Sequence, residues 1–152
     1  MTAIPLNTAT CTAVVLSQFD TGTKMLLMKR AKEGYWCQLA GNIEQNETAC
    51  QAIVREVSEE ISCQVKTLYS ADFIVQFYEP ELNRMMMSPA FVVFMESDVP
   101  IILNEEHTDY RWCTLDEAKA LLPFPNQRTL FDHVWKNFVE QTPSEFMKVA
   151  LD

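Results

Sequence analysis

Positive charge is scarce in this chain: 12 lysines and arginines stand against 21 aspartates and glutamates, a net charge of −9 over 152 residues. That shortage excludes a general binder of nucleic-acid polymers, which needs a basic stripe to displace counterions. Any C-x-x-C pair is missing too. Cys11, Cys37, Cys50, Cys63 and Cys113 are odd in number and scattered, so free buried thiols in a reducing compartment are expected, and the spacing of a structural zinc site is absent. The N-terminal MTAIPLNTATCTAVVL has no basic segment ahead of its apolar run, and nothing approaches the ~20 apolar residues of a membrane span. A cytoplasmic protein with no membrane partner is expected. There is no internal repeat and no low-complexity tract. With 48% hydrophobic residues, the length predicts one domain over residues 1–152, able to bury a real core.

Residues 10–18 and 24–30 are rich in β-branched and aliphatic side chains, and Gly22 between them predicts a β-hairpin. Further on, 63–78 and 89–96 read as strands with a hairpin tip over EPELNRMMMS, where Met85 to Met87 serve as flexible packing. Tyr110 to Cys113 reads as a short strand, and Thr114 with Glu117 as a capping box for the next helix. After Pro123-Phe124-Pro125, Asn126 is a candidate cap for a helix whose Leu130, Phe131, Val134, Trp135 and Phe138 recur at helical spacing. Thr142-Pro143-Ser144-Glu145 predicts one more short helix, with Pro143 at its first position. From these patterns alone the class is mixed α and β.

One stretch concentrates chemistry: Gly41 to Cys63, GNIEQNETACQAIVREVSEEISC. No Gly or Pro interrupts Glu47 to Ile61, so a helix is predicted there, with Asn46 a candidate cap. At about 100° per residue, Cys50, Ile53, Val54, Val57 and Ile61 form the arc expected to face the core. Glu56, Glu59 and Glu60 gather on the opposite arc. Like charges at this spacing repel and lie near the negative end of the helix, so a cation should offset them. Arg55 can pair with Glu59 and bridge to Glu47. The carboxylates left over are hard oxygen ligands suited to Mg²⁺ or Mn²⁺, although an isolated E-x-x-E-E is commonly a solvated helix face.

The spacing around these glutamates resembles the signature of the Nudix hydrolases: Gly, five residues, Glu, seven residues, Arg-Glu, an aliphatic, one residue, Glu-Glu. Here it reads Gly41, Glu47, Arg55, Glu56, Val57, Glu59, Glu60. Ser62 departs from the Gly usual in the family, and Cys63 stands in for an aliphatic, which puts in doubt how the helix ends more than the metal site. The resemblance implies an α-β-α sandwich with a mixed β-sheet. It also implies Mg²⁺, or Mn²⁺, held by Glu56, Glu59, Glu60 and the Gly41 carbonyl oxygen, with Glu47 in structural support. Glu59, Arg55 and Glu106 are the candidate catalytic residues.

The implied reaction is attack of water on phosphorus within a diphosphate linkage. A triphosphate of a nucleoside or pterin would be cut to the monophosphate and pyrophosphate, while dinucleoside polyphosphates or nucleotide sugars are alternative substrates and a non-catalytic nucleotide sensor is a further one. A base is needed besides the helix, and Asn104-Glu105-Glu106-His107 is the obvious source. Glu106, His107, Tyr110 and Trp112 resemble the Glu-His-x-x-Tyr-x-Trp stretch of the bacterial dihydroneopterin triphosphate pyrophosphatases, in which this glutamate lies beside the metal. Glu106 is therefore a candidate metal ligand as well as a base, with Glu105 the alternative, and His107 reads as a capping or core residue. Arg30 is a candidate phosphate contact, or else, with Lys29, an edge-strand charge. Trp36, Phe73 and Phe124 are candidate platforms for the base. Asn126 stands where some family members read a purine edge with an Asn, a role that competes with capping. A homodimer is allowed by the sequence and not specified by it.

Overall fold

The structure is a computed structural model and describes residues 1–151. Its centre is the strand β2 (Thr10–Phe19), buried without a break from Cys11 to Ser17. A strand buried on both faces needs apolar residues of both parities, and ATCTAVVLS supplies them. Cys11, Ala13 and Val15 turn to one side of the sheet, Val14 and Leu16 to the other.

Seven other strands surround it: β1 (Leu6–Asn7), β3 (Gly22–Arg30), β4 (Trp36–Cys37), β5 (Leu39–Asn42), β6 (Thr67–Glu79), β7 (Arg84–Met95) and β8 (His107–Cys113). β7 runs parallel to β1 and β2, and the other pairings are antiparallel, so the sheet is mixed. On one face lies α1 (Ala49–Ile61), whose Ile53, Val57 and Ile61 pack against Val15, Leu26 and Met28. On the other lie α2 (Leu115–Leu121) and α3 (Pro125–Val134), whose Ala118, Leu130, Phe131 and Val134 pack against Val14, Leu16, Met25 and Leu27. This is the expected α-β-α sandwich. Among the described residues no helix is long and apolar enough to cross a membrane.

The expected hairpin forms with Gly22 at φ 118°, a conformation that favours glycine. β2 then parts from β3: it pairs with β3 only over Leu16–Phe19 and with β5 over Thr10–Ala13, while β3 continues against β8 from Met25 to Arg30. That divergence opens the space in which the candidate site lies.

Several boundaries differ from expectation. Thr48, not Asn46, caps α1: its Oγ1 accepts from Gln51 N at 3.1 Å while Gln51 Oε1 accepts from Thr48 N at 2.8 Å. Asn46 sits in the preceding turn with φ 67°, so it is not the cap. Phe124 holds the capping position of α3, and Asn126 lies inside the helix. The β6–β7 tip is shorter than EPELNRMMMS, because Met85 to Met87 and Ser88 are already paired with Phe77, Tyr78, Gln76 and Val75. The tail forms one 3-10 turn over Glu145–Met147, capped by Ser144. Beyond it Val149 N donates to Leu68 O at 2.9 Å, so the chain covers the edge of β6 instead of extending a helix.

Ser62 ends α1 in the left-handed region, φ 58° and ψ 38°. That conformation costs a non-glycine residue roughly 1–2 kcal/mol. Its Oγ donates to Ile102 O at 3.2 Å, a bond of about 1 kcal/mol that offsets much of this. The departure from Gly therefore has a structural use: it ties the loop leading into β8 to the end of α1.

Candidate active site

The buried face of α1 comprises Ala52, Ile53, Glu56, Val57, Glu60 and Ile61, whereas Cys50 and Val54 are only half-buried. The expected opposition of an apolar arc and an acidic arc is thus incorrect. Glu60 lies two turns from Ile53, only about 20° away around the axis, so burying Ile53 buries Glu60. Glu56 and Glu60 are 8% and 3% exposed, while the Glu59 side chain is 54% exposed. Two carboxylates point into the protein and one points out.

Arg55 organises this acidic group. Its Nε and Nη2 grip Glu47 through both oxygens at 2.8 Å each, Nη2 also reaches Asn42 O at 2.7 Å, and Nη1 donates to Glu56 at 2.8 Å and Glu59 at 3.2 Å. Every N–H of the guanidinium is committed to protein. The expected bridge to Glu47 is therefore part of a wider clamp, and the Arg55 hydrogen bonds hold the Glu47 carboxyl down at about 2. Glu44 stands at the margin, 64% exposed and 3.6 Å from Arg55.

Facing Glu56 and Glu60 is a cavity of about 570 Å³. Gly41 and Asn42 line it from β5, Arg30 from the end of β3, and Glu105 and Glu106 from the loop before β8. That loop is fastened on both sides: Ile102 N and Asn104 N donate to Ile61 O and Glu60 O, and Ala31 N donates to Glu106 O at 2.9 Å. Residues 46 apart in sequence are so brought together, and Glu60, Glu106 and His107 offer ligand atoms within 4.8 Å of one another. Trp36 and Asn126 do not line the cavity: Trp36 packs against the α2/α3 core, and Asn126 is half-buried on α3. Phe124 stacks edge-on with Tyr35, and Phe73 lies against His133.

Other residues take the wall that these were expected to form. Val75, Phe77 and Met86 supply an apolar side, and Thr10, Thr12, Gln38 and Ser88 a polar one. Gln127 Nε2 donates to Gln38 Oε1 at 3.0 Å, Gln38 Nε2 to Thr12 Oγ1 at 3.1 Å, and Thr12 Oγ1 to Leu39 O at 2.7 Å. The i, i+2 spacing of Val75 and Phe77 carried the signal that both share a strand face; the hydrogen-bonded relay left no mark in the sequence.

The sequence profile of the NUDIX domain matches residues 9–134. The chain belongs to the Nudix family, hydrolases that act on phosphoanhydride bonds. It is 31% identical over 121 residues to the dihydroneopterin triphosphate diphosphatase of Escherichia coli K12, covering 71% of this chain and 79% of that protein. It is 27% identical over 122 residues to the asymmetrical bis(5'-nucleosyl)-tetraphosphatase of Rattus norvegicus, covering 75% and 80%. In fold it is similar to a C. elegans Ap4A hydrolase in a binary complex, at TM-score 0.78 and 16% identity, covering 89% of this chain and all of that one, 100%.

Nudix proteins typically use divalent metals, and the acidic group here has the character such an ion requires. Glu60 Oε2 is buried without a hydrogen-bond partner. Burial first, then the neighbouring Glu56 and Glu106 carboxylates, push the Glu60 carboxyl up to about 9. Burial likewise raises Glu56, against the pull of Arg55. An anion so placed is disfavoured unless a cation joins it. A pH dependence follows. Below its ordinary value of 4.5, Glu60 is protonated whether the chain is folded or not. As pH rises towards about 9 the unfolded chain ionises while the folded one keeps its proton, so the metal-free protein loses stability over that window. A divalent cation should reverse the loss by stabilising the carboxylate. The metal-induced rise in Tm is expected to be ~5 °C or more larger near pH 8.5 than near pH 6, and Glu60→Gln should flatten the difference. Differential scanning calorimetry with and without chelator measures it.

Proposed function

We propose that this Nudix protein hydrolyses a nucleoside or pterin triphosphate to the monophosphate and pyrophosphate, with Mg²⁺ as its metal and Mn²⁺ able to replace it. The observation that carries the reading is the buried Glu60 carboxylate, its Oε2 without a hydrogen-bond partner, beside Glu56 and Glu106 at the wall of a cavity. Glu56, Glu59, Glu60, Glu106 and the Gly41 carbonyl oxygen are the proposed ligands; the ion would neutralise charge on the phosphate oxygens and lower the pKa of a water. Arg30 binds the polyphosphate from the cavity rim. Glu106 takes the proton from the attacking water, pyrophosphate departs, and Arg55 acts by holding Glu56 and Glu59 in place through its committed hydrogen bonds.

Replacing Glu106 by Gln is expected to lower kcat about 10²- to 10⁴-fold with little change in KM. Steady-state kinetics on Glu105→Gln decides between the neighbours: should that variant carry the loss and Glu106→Gln not, the base is Glu105.

For the ring of the substrate, Val75, Phe77 and Met86 are the better platform, since Trp36, Phe73 and Phe124 lie elsewhere. Phe77 is 42% exposed within the cavity lining, and stacking on such a ring contributes roughly 1–3 kcal/mol. Phe77→Ala should raise KM about 10-fold with kcat nearly intact, while Trp36→Ala should leave KM unchanged. Equal effects from the two would refute the assignment.

Similarity to the rat tetraphosphatase supports a second reading, hydrolysis of dinucleoside polyphosphates. A metal-supplemented screen of nucleoside triphosphates, pterin triphosphates and dinucleoside tetraphosphates, with products identified by mass, tests both. Pyrophosphate and a monophosphate from a triphosphate support the first. Turnover confined to dinucleoside substrates would replace it with the second.

A further inference from the structure

At the head of β8, Glu60, Glu106 and a ring nitrogen of His107 come within 4.8 Å of one another. His107 is only 6% exposed, and its Nδ1 is buried with no hydrogen-bond partner. The Glu60 Oε2 beside it is in the same condition. Buried polar atoms are almost always paired, so two orphans in one cluster call for a common explanation. No hydrogen bond to each other or to any other group satisfies either atom. Ligand atoms this close need at most a small side-chain adjustment to share one cation with bonds of about 2.0–2.2 Å. The backbone holds the cluster ready: His107 is paired with Arg30 across β3–β8, its N donates to Asn104 O at 3.4 Å, and Asn104 N donates to Glu60 O at 3.4 Å.

We propose that His107 is a metal ligand, so that Glu60, Glu106 and His107 form a mixed nitrogen–oxygen site for a first-row transition cation, Zn²⁺ being the best probe. The proposal rests on the reading of these carboxylates as a metal site and extends it to a residue outside the acidic helix. An imidazole nitrogen adds little to the binding of Mg²⁺, which takes oxygen ligands, and much to that of zinc, nickel or iron. His107 would therefore set which ion the site prefers, not whether it binds one.

The chain has only two histidines, His107 and His133, and His133 is engaged with Ala71 O on the far core. Nitrogen-15 NMR of the labelled full chain thus shows two imidazoles, assigned with His133→Gln. Zn²⁺ is expected to shift the His107 ring nitrogens and leave those of His133 in place, while Mg²⁺ moves neither. Calorimetric titration of His107→Gln should show Zn²⁺ affinity reduced about 10- to 100-fold and Mg²⁺ affinity little altered. Circular dichroism checks that this variant folds; if it does not, the wild-type spectra decide alone. Stoichiometric Zn²⁺ binding with the His107 nitrogens unmoved would overturn the proposal, as would full Zn²⁺ affinity in a folded His107→Gln. Mg²⁺ binding without a His107 response to Zn²⁺ removes this inference alone, whereas binding of neither ion removes the metal reading beneath it as well.

Discussion

Glu56→Gln is expected to lower Mg²⁺-dependent kcat by about 10³-fold or more, with the metal-free protein as stable as wild type or slightly more so. The two outcomes have one cause. Glu56 is 8% exposed, is raised by burial, and feels the Glu59 and Glu106 carboxylates. Burial outweighs the Arg55 pairing, so without a metal ion its charge is a net liability to the fold, and a neutral amide of the same shape relieves it. The amide oxygen can still accept from Arg55 Nη1, so the clamp survives. What the amide cannot supply is the anionic oxygen for which a hard divalent ion competes with water. Stopped-flow or steady-state kinetics paired with thermal unfolding in chelator makes the check. Near-normal turnover would remove Glu56 from the metal site, and a drop in metal-free Tm would show that the residue supports the fold.

Gly41→Ala should abolish nearly as much activity by a different route. A Cβ at Gly41 would lie 2.2 Å from Glu56 Cδ, 2.3 Å from Oε1 and 2.6 Å from Cγ. No real carbon contact is that short, so the Glu56 carboxylate must swing away from its present place beside Gly41 and on Arg55. An overpacked site of this kind costs about 1–3 kcal/mol, and a displaced carboxylate forfeits the alignment on which turnover depends. We expect kcat to fall about 10²-fold or more with a Tm lowered by several degrees. Glu56→Ala removes the obstructing side chain. In that background Gly41→Ala should cost almost no further stability, so the two changes are strongly non-additive. Additive losses of stability would mean that the glycine is needed for some reason other than the room it leaves Glu56.

Both expectations turn on how α1 presents its carboxylates. Its acidic residues are not a surface charge patch that happens to attract metal. They divide between Glu59, in solvent, and Glu56 and Glu60, held under cover where burial disfavours ionisation, with Arg55 reaching Glu59 and Glu56 but not Glu60. The clamp stabilises the outer half through Glu47 and the Asn42 carbonyl. Of the inner pair only Glu56 shares the guanidinium, through Nη1 at 2.8 Å; Glu60 has no such partner, and its Oε2 is buried without a hydrogen bond.

From the sequence alone one could read the spacing of Gly41, Glu47, Arg55, Glu56, Glu59 and Glu60, the helix that carries them, the Gly22 hairpin and the Thr114–Glu117 capping box. Each depends on neighbours within a few residues, where backbone preference and hydrogen-bonding reach act locally. Tertiary structure decided the rest. Whether Glu56 and Glu60 face water or the sheet depends on how α1 is rolled against Val15, Leu26 and Met28, a choice made by packing that helical periodicity leaves ambiguous at the edge of an arc. Glu106 and His107 reach Glu60 only because a loop is pinned to the end of α1, and Phe77 and Met86 join the cavity wall because β6 and β7 pair alongside β2. Contacts between residues so distant in the chain arise from the closure of the sheet, and no local pattern encodes them.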